Sequence, residues 1–294
     1  MRWLNRLLGG ELKTDEYEVR DSQHGLGRVF ILRGPWRPEY PDFMRRQGID
    51  GLRLGDSAGP DVGFLSEVPF LRSLEIYSRA VRDCSVLSSL NELRLLGLQC
   101  ELRGSIDFGP LAKLEVALLS WEKAVDGVLG CRQLRHLNVS GWPEVDLSKL
   151  AQLDKLQALY LQSRRLQSLH GLSAFPVLEH LDLHGCPKLA SLAGVEACQR
   201  LTSLSVSACR VGDVSVLASL PGLRTVELDS CGDIGTFAPL AALHDLERLS
   251  FDGNTRVLDG DLSVIEGFPK LHSLVFAPRG LYNRNRTELL SRRA

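Results

Sequence analysis

The sequence predicts an α/β repeat architecture: a right-handed solenoid with a parallel β-sheet on its concave side and short 3₁₀ or extended segments on its convex side. Three observations carry that expectation. An apolar pattern, L-x-x-L-x-L or a close variant, recurs eleven times between Ile49 and Arg279, with starts read at Ile49, Leu71, Leu90, Leu111, Leu134, Leu156, Leu178, Leu201, Leu223, Leu246 and Leu271, so that successive starts lie between 19 and 25 residues apart. The last two apolar residues of a copy are two apart, as in Leu159/Leu161 and Leu181/Leu183, which is strand periodicity with one face inward. The remainder of a copy continues at three-residue spacing, as in Leu166, Leu169, Leu172 and Phe175, or Val211, Val214, Leu217 and Leu220, which suits a tight 3₁₀ or extended return path.

On these residues the chain resembles the leucine-rich repeat family, in particular the short 22-residue class found in bacterial internalins and in a eukaryotic phosphatase regulator. The resemblance spans residues 49–279 and implies an architecture rather than a chemistry. It also implies an inward-turned Asn or Cys at the ninth position of each copy, bonded to the backbone of the turn. Cys186, Cys209, Cys231 and Asn254 stand there in four late copies, whereas the aligned positions earlier hold Ser57, Arg79, Leu98, Leu119, Trp142 and Arg164.

The elements follow in order. Residues 1–48 do not repeat and are read as an N-terminal cap: a short amphipathic helix with Trp3, Leu4, Leu7 and Leu8 on one side, two strand-like runs at Tyr17–Arg20 and Arg28–Leu32 separated by a turn with Gly25 and Gly27, then Pro35, Pro38 and Pro41 before a short helix through Phe43 and Arg46. Residues 49–279 hold the repeats. One copy cannot bury its own leucines and is stable only when stacked, so caps are needed at both ends. Residues 280–294 form a basic C-terminal tail or cap, able to fold a final turn through Leu289 and Leu290.

Composition is that of an ordinary globular chain, 44% hydrophobic and 24% charged with a net charge of −1. The charge is uneven: outside residues 1–48 and 279–294 there remain 21 basic and 28 acidic groups, so the repeat body is acidic and nucleic acid is not its expected ligand. The seven cysteines are odd in number, and three occupy inward turn positions, which favours a reducing, cytoplasmic compartment, with delivery into another cell as an effector left open. The first ten residues mix charge with apolar residues and lack a signal-peptide pattern, and no apolar run is long enough to span a bilayer. Neither a phosphate-binding glycine loop, a dinucleotide fingerprint, a C-x-x-C pair nor an H-E-x-x-H motif is present.

Strand alternation places the residues between the leucines on the outer face, where recognition has to occur. One position per copy gives Arg53, Glu75, Arg94 and Glu115 in the early copies, expected to neutralise one another across neighbouring strands, and then Asn138, Tyr160, Asp182, Ser205, Glu227, Ser250 and Val275. The middle copies carry the candidate partner-binding residues: His136, Asn138, Tyr160, His180, Asp182, His184, Glu227, Asp229 and Asp252. Two chemical readings compete with plain binding there. His180, Asp182 and His184 could ligate a metal, although alternate strand residues are about 6.8 Å apart and no third histidine stands beside them. Nearby serines suggest a hydrolase, but an open sheet offers no evident oxyanion hole. The expectation is therefore a monomeric, non-catalytic, cofactor-free module, acting as scaffold, regulator, effector or inhibitor. It would bind a protein partner of basic or mixed-charge surface, not nucleic acid or a membrane.

Overall fold

The computed structural model describes residues 15–22 and 24–291, in two compact units that meet between Gln133 and Leu134. The expected short N-terminal amphipathic helix at Trp3–Leu8 lies outside the described residues.

In the first unit β1 (Tyr17–Asp21) pairs antiparallel with β2 (Arg28–Leu32). The chain then forms α1 (Tyr40–Arg46), which carries Pro41 in its first turn and Arg45 and Arg46 in its last, an order that suits the helix dipole. Its apolar face buries Tyr40, Phe43 and Met44, and an aromatic cluster forms around Phe30, with Tyr17 stacked at 4.6 Å and Tyr40 at 5.0 Å between ring centroids. From β2 onward every partner is parallel: β3 (Gly51–Leu54), β4 (Ser73–Tyr77), β5 (Leu95–Gln99) and β6 (Val116–Ser120) follow side by side.

The second unit repeats this arrangement with β7 (His136–Ser140), β8 (Ala158–Gln162), β9 (His180–His184), β10 (Ser203–Ser207) and β11 (Thr225–Asp229). Two short strands, β12 (Asp233–Ile234) and β14 (Arg256–Val257), make a separate ladder, while β13 (Arg248–Phe251) and β15 (Ser273–Phe276) extend the main one. Beyond β15, the Tyr282 ring packs edge-on against Phe251 and Phe276, and Arg279 donates to the Gly253 carbonyl at 2.9 Å. The last helix, α2 (Arg286–Ser291), is opened by a reciprocal cap in which Glu288 N–H donates to Asn285 Oδ1 at 2.9 Å and Asn285 N–H to Glu288 Oε2 at 3.0 Å; Leu289 is buried. The N-x-x-E spacing of 285–288 was the sequence signal for it.

A recurrent local chemistry opens the return paths. An aspartate accepts the backbone N–H two residues on at Asp61, Asp83, Asp107, Asp146, Asp213 and Asp261, and Ser168, Ser191 and Thr236 do the same in other copies; after each of these but Asp107 a 3₁₀ turn follows. Its three-residue period turns Val62, Leu65, Val68 and Leu71, or Val211, Val214, Leu217 and Leu220, inward without exception.

Three expectations are corrected. Cα partners set Leu74 opposite Leu96 and Leu96 opposite Ala117, so the third and fourth copies start at Leu93 and Leu114, not Leu90 and Leu111. The cause is that Leu90 and Leu111 belong to the preceding 3₁₀ return, whose three-residue period mimics the first step of the strand motif. As a consequence Arg94 and Glu115 precede β5 and β6 and bond each other at 2.8 Å, whereas Glu75 faces Gly97; the alternating four-residue charge row does not exist. Glu75 is instead buried, held by Arg53 at 2.7 Å and by the Tyr77 hydroxyl. The inward turn position also shifts: Ser78, Cys100 and Ser163 take it rather than Arg79, Leu98 and Arg164, and in the late copy Asn254 is exposed while Thr255 turns in, accepting from Cys231 N–H at 2.9 Å and donating to the Leu228 carbonyl.

Cys186, Cys209 and Cys231 do fill the inward position, each Sγ donating to strand carbonyls, as Cys231 does to Val206 at 3.2 Å. All seven thiols are buried and unpaired, and burial pushes those of Cys131, Cys198 and Cys231 up to about 11. At pH 8 they are protonated. Because all seven are buried, a chromogenic disulfide reagent should label the native protein only as fast as it unfolds and all seven thiols once it is denatured; rapid native labelling of any one would show its layer to be open. Backbone geometry gives a second expectation. Gly171 has φ 102°, and a Cβ there would meet the Leu147 carbonyl carbon at 2.6 Å and the Ser148 nitrogen at 2.7 Å. Gly171→Ala should lower the unfolding free energy by about 2–4 kcal/mol in urea denaturation, while Gly267→Ala, which enters open space, should change it by less than about 0.5 kcal/mol.

Candidate functional site

The parallel register of the second unit turns single residues into rows. One row runs His136, Ala158, His180, Ser203, Thr225, Arg248; the next Asn138, Tyr160, Asp182, Ser205, Glu227, Ser250, Val275; the third Ser140, Gln162, His184, Ser207, Asp229. All face away from the leucines, because the alternate strand residues Leu137, Val139, Leu159, Leu161, Leu181 and Leu183 are buried. Flat β geometry holds successive members of a row about 4.8 Å apart and neighbouring rows about 6.8 Å apart, so these side chains form one continuous, mainly polar surface.

The sequence-predicted residues differ in what they can offer there. His136, Asn138, Tyr160, His180 and His184 are exposed, while Asp182, Glu227, Asp229 and Asp252 are half-buried. Tyr160, 40% exposed, sits beside Asp182 in register. Asp229 is largely committed to structure: its Oδ1 accepts from Ser250 Oγ and from Asp252 N–H, both at 2.7 Å. His184 Nδ1 bonds Ser207 Oγ at 2.6 Å across adjacent strands. Asp182 is the opposite case. It forms no hydrogen bond or ion pair, and its carboxyl is held above the usual carboxylate range chiefly by burial and further by Glu227, against the counter-effect of His184.

This geometry does not assemble a catalytic or metal centre. Among the described residues no group of three or more His, Cys, Asp or Glu is placed to hold a metal ion. The Ser207–His184 contact has the pairing of a nucleophile and base, but no bond joins either histidine to Asp182, so nothing orients the imidazole as a triad would. Sequence reasoning passed over Arg248, an exposed cation in register with Thr225 on the His180 row; its signal was its place one residue before Leu249 in the copy starting at Leu246.

No family model matches the chain. The Arabidopsis thaliana disease resistance protein RPP2A is 31% identical over 176 residues, 53% of this chain, and the chain spans only 13% of that protein's length. Among solved structures, an internalin (inlF) from Listeria monocytogenes is similar with a TM-score of 0.51 at 18% identity, over 75% of this chain and 73% of that one. The functional domain of the Listeria monocytogenes protein InlJ, described as including a cysteine ladder, gives 0.50 at 18% identity over 72% and 54%. The leucine-rich repeat ectodomain of the Arabidopsis receptor kinase HAESA, solved with a peptide hormone ligand, gives 0.55 at 20% identity over 74% and 40%.

The state of Asp182 makes a testable link between site and stability. Its raised folded-state pKa means that the native protein binds more protons than the unfolded chain between the two values, so stability falls as pH rises through that window. Asp182→Asn should accordingly raise the unfolding midpoint at pH 7, and the gain should disappear when melting is repeated in acid below the ordinary carboxylate range. An unchanged or lowered midpoint at pH 7 would show that the carboxylate is already satisfied.

Proposed function

We propose that this chain, which has the leucine-rich repeat fold, is a non-catalytic binding module that takes a protein partner on the outer face of β7–β11. The observation that carries the reading is Asp182: a half-buried carboxylate with no partner of its own, in register with the exposed ring of Tyr160. Burial already disfavours the charged form of this carboxyl, so a cationic side chain from a partner gains more here than on open surface. Tyr160 supplies the apolar anchor with two torsions to fix, and aromatic residues are prominent among binding hot spots.

Glu227 and the half-buried edge of Asp252 extend the acidic field, so a partner of basic or mixed-charge surface is expected. The strands are already hydrogen-bonded on both sides, and little backbone order remains to be imposed on binding. The fold relatives solved with a peptide ligand support a recognition role without identifying the ligand of this chain. Seven buried unpaired thiols support residence in a reducing compartment such as the cytoplasm. Among the described residues no helix is long and apolar enough to cross a membrane. Scaffold, regulator, effector and inhibitor are all roles that this surface could serve.

The partner recovered by affinity capture from the source cells should bind the double variant Tyr160→Ala/Asp182→Ala more weakly by roughly 30-fold or more, with no fall in the unfolding midpoint of the variant. Unaltered affinity would remove this face from consideration. Association with the unmodified protein should slow as ionic strength rises, measured by stopped-flow or surface plasmon resonance; a salt-independent rate would exclude an electrostatically complementary partner.

A further inference from the structure

At the C-terminal ends of β7 to β10 the loops border a depression of about 580 Å³ that adjoins the rows of the sheet face at Gln162. Its lining includes Trp142, Pro143 and Pro187, with Gln162, Arg164 and Arg165 at the polar side. The site is firmly built. The Trp142 indole is buried, with Nε1 donating to the Asp146 carbonyl at 2.9 Å, and Ser163 ties the loop by donating to the Trp142 carbonyl at 2.7 Å while accepting from Arg165 and Leu166 N–H, each at 3.0 Å.

What the depression offers is unspent positive charge against an apolar wall. Arg164 and Arg165 are exposed, and among the described residues neither guanidinium makes an ion pair or a hydrogen bond. Lys188 and Arg210, on the next two loops of the same edge, are likewise exposed and unpaired among the described residues. The nearby Glu144 is engaged by Lys149 at 3.2 Å. In other loops Arg82 is matched by Glu101, Arg256 by Asp233 and Arg284 by Glu266, and the exposed Arg79 and Arg103, which form no ion pair among the described residues, do not border this depression.

We propose that this depression is a second recognition site, taking an acidic segment of a protein partner, with its carboxylates on Arg164 and Arg165 and an apolar side chain on Pro143 and Pro187, beneath which the buried Trp142 holds the floor. Charge complementarity selects the occupant. Guanidinium groups match carboxylates in planar, two-point geometry, and the apolar floor gives a protein segment something that a bare anion lacks. A long polyanion such as nucleic acid is disfavoured, because Asp182, Glu227 and Asp229 stand on the adjoining sheet face. Together with that acidic face, the depression defines a partner of mixed charge: cations for the sheet and carboxylates for the edge. The proposal rests on reading the chain as a protein-binding module, but it concerns different residues and is tested separately.

The test measures fluorescence anisotropy of the full chain with a labelled hexapeptide of alternating glutamate and leucine, beside its glutamine-for-glutamate counterpart. The glutamate peptide should bind at least about tenfold more tightly than the glutamine peptide. It should lose about tenfold or more in affinity with Arg164→Glu/Arg165→Glu and less, but still measurably, with Arg164→Gln/Arg165→Gln, circular dichroism confirming that both variants are folded. The variant Tyr160→Ala/Asp182→Ala should retain full peptide affinity. Equal binding of the two peptides, no binding of either, or binding indifferent to both arginine variants would overturn the proposal while leaving the sheet-face reading intact. Displacement of the peptide by a single-stranded oligonucleotide or by phosphatidylserine vesicles at lower concentration than by unlabelled peptide would overturn it in favour of that ligand class.

Discussion

Everything in this protein depends on the fact that a single copy of the repeat cannot bury its own leucines. A strand of five residues with two inward side chains has no interior; it acquires one only when the next copy lays its own leucines beside it. Each fully buried leucine contributes roughly 1.5–3 kcal/mol, and this gain is available only if successive strands keep the same register. Leu159, Leu181, Leu204 and Val226 do so without a slip, and so do Leu161, Leu183, Val206 and Leu228. The turn after each strand is under the same constraint. It must place a small polar or thiol group inward to satisfy strand carbonyls that no neighbour reaches, which is why serine, cysteine and threonine all serve at Ser163, Cys209 and Thr255.

That constraint leaves the opposite face of the sheet free. Residues between the leucines contribute little to stability and can be charged, aromatic or small without disturbing the stack. The second unit uses this freedom unevenly. Asp229 is drawn into holding the end of the neighbouring strand, and His184 bonds to Ser207, but Asp182 is left half-buried, without a hydrogen bond among the described residues, next to an exposed tyrosine. A half-buried carboxylate open to an incoming donor is the kind of local inconsistency found at functional sites. The loop edge shows an imbalance of the opposite sign, with Arg164 and Arg165 unmatched among the described residues beside the depression.

Much of this was legible in the sequence, and the failures share one cause. The two-residue alternation within each strand correctly put His180, Asp182 and His184 on one face, and the three-residue run correctly gave the 3₁₀ returns. At Leu90–Leu98 and Leu111–Leu119 the two periods overlap, since leucines three apart occur in both the return and the strand. Pattern alone could not say which leucine begins the strand there. Arg94 and Glu115 were consequently placed on the wrong row, although their mutual pairing survives at 2.8 Å. Asn254 was misplaced because the turn after β13 is one residue longer before its inward side chain, so that Thr255 takes the position that Cys231 takes in the preceding copy.

By itself the sequence determined the repeat, the parallel strands and the face on which polar residues accumulate, because these follow from periodicity and from the need to bury leucine. Only the tertiary structure decided which charges are matched and which are left over. Whether Glu75 is a surface residue or a buried one, whether Asp182 has a partner, and whether Arg164 and Arg165 border a depression with an apolar floor depend on neighbours about 22 residues away along the chain. Such distances are set by stacking, and local sequence carries no record of the gap between two side chains on adjacent turns.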